Sequence, residues 1–130
     1  MKVIGCRIHL AGSASKETSE SLLRYAHELV TELVRSLGEA GATFVLGVGK
    51  EPLVRPDDAT SPSIIFDWTA LSTLQELLKA GRAEAVGPEG RLISTIATTK
   101  TDTQIPEARR TIWRDLLTAD AVKPEYLTPG

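Results

Sequence analysis

The chain has little cysteine and little histidine: one cysteine, Cys6, and two histidines in 130 residues. A single cysteine excludes an intrachain disulfide and favours a reducing, cytoplasmic location. We expect Cys6 to be a small apolar core residue of the first strand rather than a nucleophile. His9 and His27 lack the spacing of metal ligands, so we expect no metal and no other cofactor.

The chain also lacks an excess of charge and a long apolar segment. Its formal net charge is -2, which gives no general affinity for polyanions, so we expect neither nucleic acid nor membrane as a partner. Arg7 and His9 interrupt the apolar N-terminal stretch, so we expect this stretch to be neither a signal peptide nor a membrane span. A small anionic ligand is compatible with this charge, because a few amides and cations can hold one phosphate.

Apolar residues make up 42% of the chain, which is enough for one domain over residues 1–130 with a single core. Their periodicity predicts alternating strands and helices. The predicted strands cover residues 3–10, 42–46, 63–68 and 91–98, and the predicted helices cover residues 19–39, 70–79 and 106–117. Residues 64–66 can alternatively lead directly into the second helix, and the tail from residue 122 has no evident partner strand.

This order predicts the α/β class: a Rossmann-like three-layer sandwich with a short, mainly parallel sheet of three or four strands and about three main helices. A complete doubly wound domain usually has five or six strands. We therefore expect either a trimmed domain or a fragment that is incomplete at its C-terminus. In the first helix we expect a buried leucine ridge that includes Leu33, and we expect His27 to be solvated.

Two loops of small residues follow two predicted strands that should be neighbours. Open α/β sheets bind ligands at the carboxyl ends of their strands, and the start of a helix attracts phosphate. We therefore predict that both loops contact a ligand, through Gly12, Ser13, Ala14, Ser15, Gly47, Val48, Gly49 and Lys50. The alternatives are an ordinary strand-to-helix turn for the first loop and a solvated lysine at the end of the second.

A third candidate segment begins at Asp67, where strand is predicted to give way to helix. Asp67 could accept hydrogen bonds from ribose hydroxyls or cap the helix. Trp68 could stack on a base or pack against the helix, and Thr69 could donate to a phosphate or cap the helix. The loops match neither the dinucleotide G-x-G-x-x-G nor the Walker pattern, and G-x-S-x-G and H-E-x-x-H are absent.

The segments at residues 8–14 and 44–49 resemble the glycine loops of the SLOG superfamily. These Rossmann-like domains are related to the lysine decarboxylase-like phosphoribohydrolases and to the DNA-processing protein A group. Residues 65–71 look most like the branch found beside sirtuin and TIR domains in bacterial defence systems. The resemblance covers roughly residues 4–117, and it implies a domain that senses a nucleotide-derived signal, often of the ADP-ribose type, and controls an effector.

The phosphoribohydrolase branch carries P-G-G-x-G-T-x-x-E, in which the glutamate is catalytic. In the nearest stretch here, residues 68–76, only Thr73 and Glu76 fall in step, and the glycines are absent. The resemblance thus implies a sensor of a nucleotide-like small molecule rather than an enzyme, with an effector domain or a second copy as its protein partner. Two alternatives stay open: a nucleotide N-glycosidase or phosphoribohydrolase using Glu76, and an assembly module without a ligand.

Overall fold

The computed structural model describes residues 6–84, 86–87, 90–91, 93–97 and 104–126. The helices are α1 (Glu20–Glu39), α2 (Asp67–Lys79) and α3 (Arg110–Thr118), the last preceded by a 3-10 turn at Glu107–Arg109. The strands are β1 (Arg7–His9), β2 (Thr43–Gly47), β3 (Val86–Gly87), β4 (Gly90–Arg91), β5 (Ile93–Ala97) and β6 (Val122–Tyr126). The predicted α/β class with three main helices is confirmed.

The main sheet is parallel, with the spatial order β1-β2-β5-β6, and β3 pairs with β4 in a separate antiparallel ribbon. Each crossover in the main sheet moves the chain to the next strand in one direction, and such crossovers are right-handed. All three helices therefore lie on one face of the sheet, where they share one apolar cluster with Phe44 and Leu46 of β2. The described residues thus form two layers, one of strands and one of helices, and the predicted Rossmann-like three-layer sandwich is not confirmed.

The core lies between the sheet and the helix layer. Phe44 of β2, Leu71 of α2 and Leu116 of α3 are all buried there. The helices α1 and α2 approach each other closely at Gly38, where an added Cβ would lie 2.9 Å from Cδ1 of Leu77. Only glycine allows this approach without a shift of the neighbouring side chain.

Two strand predictions are wrong. Residues 63–68 do not form a strand, because Ser63 makes only an isolated bridge to Leu53 and α2 already begins at Asp67. The alternative, in which residues 64–66 lead directly into the helix, is confirmed. The tail was expected to lack a partner, yet β6 pairs in parallel with β5. Pro124 is tolerated in β6 because this strand lies at an edge of the sheet.

Helix α1 buries a different face from the predicted one. Leu23 and Val34 are buried, whereas Leu33, which was expected in the core, is 50% exposed. The two ridges are adjacent on the helix and both are apolar, so periodicity alone cannot decide which of them faces the sheet. The expectation for Cys6 is also wrong, since this residue is exposed just before β1.

The burial of these side chains predicts how two alanine variants will differ. Leu33→Ala should change the free energy of unfolding by less than about 1 kcal/mol, because its side chain is half exposed. Leu74→Ala, at a position with 0% exposure, should cost about 2–5 kcal/mol. Urea unfolding at low protein concentration checks both values. Equal losses for the two variants would contradict the assigned orientation of α1.

Candidate functional site

The carboxyl ends of β1 and β2 lie at the same edge of the sheet, because the two strands are parallel neighbours. The loops that follow them therefore start side by side. The amide of Ala14 in the first loop donates to the carbonyl of Ile64, at 2.8 Å, and so ties this loop to the segment before α2. The three segments singled out in the sequence thus meet at one edge of the sheet.

Asp67 is the first residue of α2 and lies beside the end of β2. Its Oδ2 is 3.5 Å from the position that a Cβ would take on Gly47. Within the part of the chain that the structure describes, no hydrogen bond or ion pair reaches this carboxyl group. Burial raises the pKa of Asp67 from 3.8 to about 6, since a buried carboxylate without a partner disfavours its charged form. Both oxygens of this carboxyl group can therefore accept hydrogen bonds from a ligand.

The capping alternative for Asp67 is wrong. Phe66 is the N-cap residue of α2, and no side chain makes a capping hydrogen bond there. A capping carboxylate would instead accept from an amide two or three residues later. Asp67 lies in the first turn, where the helix dipole favours its negative charge and offsets part of the cost of burial.

The first loop exposes its backbone at Gly12. This glycine has a φ of +99°, and no atom lies within 4 Å of the position of an added Cβ. Ser13 is exposed, and the Ser15 hydroxyl accepts from the amide of Glu17 at 3.1 Å. The loop can therefore bring a main-chain segment and the Ser13 hydroxyl close to a ligand, whereas the Ser15 hydroxyl already accepts a hydrogen bond.

The protein's own side chains already cap the start of α1 and place a negative charge there. The Ser19 hydroxyl accepts from the amide of Leu22, and Glu20 places a carboxylate in the first turn. Ser19 is therefore the N-cap residue of α1. A phosphate at this edge would thus contact the loop before Ser19 rather than the first amides of the helix.

The second loop is anchored on one side and open on the other. Val48 belongs to the apolar core, whereas Lys50 is exposed. An added Cβ on Gly49 would meet Oε1 of Gln104 at 3.4 Å, so this glycine lets the loop lie close to the segment before α3. Of the predicted contacts in this loop, Gly47 and Lys50 are the ones that face outward.

Trp68 packs inside the domain and supports the second loop from within. Its side chain is buried, at 1% exposure, and its indole N–H donates to the carbonyl of Gly49 at 3.1 Å. A ring in this position offers no free face for stacking on a base. Of the two alternatives for Trp68, stacking on a base and packing inside the domain, the structure shows packing.

Thr69 and His27 join α2 to α1. Nε2 of His27 lies 2.8 Å from the carbonyl oxygen of Ser63, and Nδ1 lies 2.6 Å from the Thr69 hydroxyl. Because a carbonyl only accepts, Nε2 carries a proton and donates it, and a neutral ring then accepts at Nδ1 from Thr69. The Thr69 hydroxyl is therefore engaged with His27, and the expectation of a solvated His27 is wrong.

A polar cavity of about 470 Å³ opens beside this histidine, between α1 and the segment at residues 51–63. Arg109 donates to both carboxylate oxygens of Glu51 there, at 2.8 and 2.9 Å, and this pairing raises the pKa of Arg109. Arg24, also in the lining, donates to the carbonyl of Thr60. Sequence inspection missed the pair because its residues are 58 positions apart. Glu51 and Arg109 in this cavity thus neutralise each other, whereas no such partner reaches Asp67 among the described residues.

Glu76, the alternative catalytic residue, lies on α2 about 13 Å along the helix axis from Asp67. It is exposed and lines a shallow cavity with Arg35 and Arg82. Thr73, which falls in step with the same motif, is buried, and its hydroxyl donates to the carbonyl of Thr69. The phosphoribohydrolase alternative stays a prediction, without a contact between Glu76 and the strand ends.

Two further observations concern the described residues alone. Over residues 6–84 and 104–126, no helix reaches the length and apolar character that a membrane crossing requires. In the same part of the chain, no three side chains of His, Cys, Asp or Glu come together in a way that could hold a metal ion.

Comparison with known proteins adds one finding to this geometry. A family model described as "ATP nucleosidase Cap17-like, N-terminal" matches residues 3–129. No curated protein and no solved structure gives a match. The family match supports the predicted resemblance to SLOG-type nucleotide-handling domains at a coarse level. It does not address the sirtuin- and TIR-associated branch, which stays a prediction.

Proposed function

The chain belongs to the family of N-terminal domains of Cap17-like ATP nucleosidases, and from this premise we propose that it binds a nucleotide-derived ligand at the carboxyl ends of β1 and β2. The observation that supports this most is Asp67, whose half-buried carboxyl group has no partner among the described residues and lies beside exposed Gly47. A carboxylate accepts hydrogen bonds from ribose hydroxyls, and a nucleotide has few other hydrogen-bond donors.

The charges at this edge orient the proposed ligand. The Asp67 carboxylate repels phosphate, so the ribose lies against Asp67 and the phosphates extend away from it. Exposed Lys50 and the open backbone at Gly12 are the predicted groups that can receive them. Trp68 takes no part in base recognition, because its ring is buried.

The role proposed for this binding is regulatory. In line with the SLOG resemblance, ligand binding would control an effector in a bacterial defence or signalling system. In this Rossmann-like arrangement the parallel sheet supports both loops. The ligand is a nucleotide or an ADP-ribose-like molecule.

A second candidate function is hydrolysis of the N-glycosidic bond of ATP, the activity for which the family is named. One observation favours it: the pKa of Asp67 is raised to about 6, and acid–base groups work best when their pKa lies near the working pH. The Asp67 carboxylate would take a proton from the attacking water while the bond between ribose carbon and base nitrogen breaks. The water oxygen would bond to that ribose carbon, the electron pair of the broken bond would leave with the adenine, and the adenine would take up the proton held by Asp67. In this candidate Asp67, not Glu76, is the reacting carboxylate.

Titration calorimetry with ATP, with ADP-ribose and with inorganic phosphate tests the first proposal. We expect heat with the ribose-bearing ligands and weaker binding of phosphate alone. Glu76→Gln is the matched control for Asp67→Asn, because it removes an exposed carboxylate on the same helix but away from the strand ends. No heat with either nucleotide, with far-UV circular dichroism showing folded protein, would refute the proposal. Chromatography for free adenine in the same samples separates binding from hydrolysis.

Substitutions at Gly47 test the location of the site. Gly47→Ala should be tolerated, since its Cβ would lie at an ordinary contact distance of 3.5 Å from Oδ2 of Asp67. Gly47→Val suits a strand end, but its extra methyl groups fill the space next to this carboxylate. We expect at least a tenfold loss of ATP affinity for the valine variant and a smaller loss for the alanine variant. Unchanged affinity in Gly47→Val would place the ligand elsewhere.

A further inference from the structure

Helix α1 carries a stripe of large apolar side chains that are open to solvent. The stripe consists of Leu22 (57% exposed), Tyr25 (57%), Leu29 (52%) and Leu33 (50%). Together these side chains expose roughly 400 Å² of mostly apolar surface, which is as large as the largest patch on many monomeric proteins. A patch of that size is often functional.

The three leucines of the stripe, together with half-buried Ala26 beside them, have a spacing that is the same in both chain directions, whereas Tyr25 lies on the flank of this symmetric set. Leu22, Ala26, Leu29 and Leu33 are separated by four, three and four residues. A two-fold axis that passes between two antiparallel copies of α1, at the level of residues 27 and 28, would place Leu22 of one copy opposite Leu33 of the other, and Ala26 opposite Leu29. A symmetric dimer requires this self-complementarity, because the same patch meets itself. A partner of a different kind would not require it.

We propose that α1 pairs in an antiparallel direction with α1 of a second copy of this chain. An interface of standard size buries about 800 Å² on each partner, of which about 56–65% is apolar. The stripe therefore supplies most of the apolar area that a stable dimer needs. The proposal goes beyond the proposed ligand binding and does not depend on it, because none of the stripe residues contacts Asp67 or lines the cavity beside His27.

The charges beside the stripe set how the pairing responds to salt. Glu28 and Glu32 lie along one flank of the stripe, and in an antiparallel pair this flank faces its counterpart in the second copy. Glu32 is already paired with Arg35, which reduces the repulsion between copies without removing it. Added salt screens what remains, so the dimer should be stronger at high ionic strength than at low ionic strength.

Sedimentation velocity over the micromolar to millimolar range tests the pairing. We expect the parent protein to form a dimer, and we expect Leu29→Lys to be a monomer with an unchanged circular dichroism spectrum. Leu117→Lys is the matched control, because Leu117 is 43% exposed on α3, outside the stripe, and this variant should dimerise as the parent does. A parent protein that stays monomeric throughout, or a Leu29→Lys variant that still dimerises, overturns the proposal.

Disulfide formation tests the direction of the pairing. In a Cys6→Ser background, which removes the exposed native thiol, Leu22→Cys mixed with Leu33→Cys should give a cross-linked dimer on oxidation. Leu22→Cys alone should not, because antiparallel helices hold its two copies about 16 Å apart, too far for a disulfide. If Leu22→Cys alone cross-links, and its mixture with Leu33→Cys gives no more cross-linked dimer than that, the helices pair in parallel and the antiparallel arrangement is overturned.

Discussion

Replacing Trp68 with alanine is expected to lower the free energy of unfolding by about 3–5 kcal/mol. The indole is buried at 1% exposure in the cluster that joins all three helices to β2. Its removal leaves a cavity inside this cluster, which the surrounding side chains can fill only in part. The loss also leaves the carbonyl of Gly49 without the indole N–H that bonds it at 3.1 Å.

Urea unfolding followed by far-UV circular dichroism measures this effect. Trp68→Phe is the matched control, because it keeps most of the ring volume and removes the N–H donor. We expect this variant to lose about 1–3 kcal/mol, since the Gly49 carbonyl is left partly unsatisfied. We also expect Trp68→Phe to keep its affinity for ATP, because the ring does not face the ligand. A Trp68→Ala variant within about 1 kcal/mol of the parent would mean that the ring is not part of the core.

The sequence patterns predicted the α/β class and the position of both strand-end loops. The reason is that helix periodicity and small-residue turns are local signals, and α1, β2 and β5 carry them clearly. The start of α2 was predicted three residues late, at residue 70, because Ile64, Ile65 and Phe66 have strand-forming side chains. Long-range hydrogen bonds decide their structure instead: the amide of Ile64 donates to Pro52, and its carbonyl accepts from Ala14.

The phase of α1 could not be predicted, because its apolar arc is wider than one buried face. Leu33 and Val34 are adjacent in the sequence, yet one is half exposed and the other is fully buried. His27 illustrates the same limit: it lies four residues after Leu23 and seven before Val34, on the face that is buried. With that face known, the spacing would have placed His27 against α2 rather than in solvent.

The sequence predicted both loops at neighbouring strand ends but not the partners of the candidate residues, and their role in binding a ligand stays a prediction. Trp68 and Thr69 bond to residues 19 and 42 positions away, and no local pattern encodes such contacts. The same is true of the burial of Asp67, which depends on how the start of α2 meets the end of β2. Its identity as a candidate came from the sequence, whereas only the fold shows that no other described residue pairs with it.

Replacing Asp67 with asparagine is expected to make the protein more stable and its ligand binding weaker. The folded-state pKa of about 6 lies above the value of 3.8 for an unperturbed aspartate, so the folded protein holds this proton more tightly than the unfolded chain does. The resulting stability is fully present below about pH 4 and is lost as the pH rises through about 6. Above pH 7 the parent protein bears the whole cost of a buried charge.

Asparagine cannot ionise, so the variant avoids this cost. We expect its free energy of unfolding to match that of the parent near pH 4, apart from a constant offset, and to exceed it by a further 1–2 kcal/mol or so at pH 8. This value is about half of what the full pKa difference would give, because the carboxyl group is only partly buried and water screens its charge. Urea unfolding of both proteins at these two pH values measures the difference.

The same substitution should reduce the affinity for ADP-ribose by about tenfold to a hundredfold at pH 8, since a hydrogen bond to a charged acceptor contributes about 1.5–3 kcal/mol. The affinity for inorganic phosphate should stay the same or rise, because a nearby negative charge has been removed. In the parent protein, ADP-ribose affinity should increase as the pH rises through about 6, whereas in the variant it should not depend on pH in that range. A gain in stability without any loss of ADP-ribose affinity would show that Asp67 is a buried charge with no part in binding, and only the two glycine loops would then remain as the proposed site.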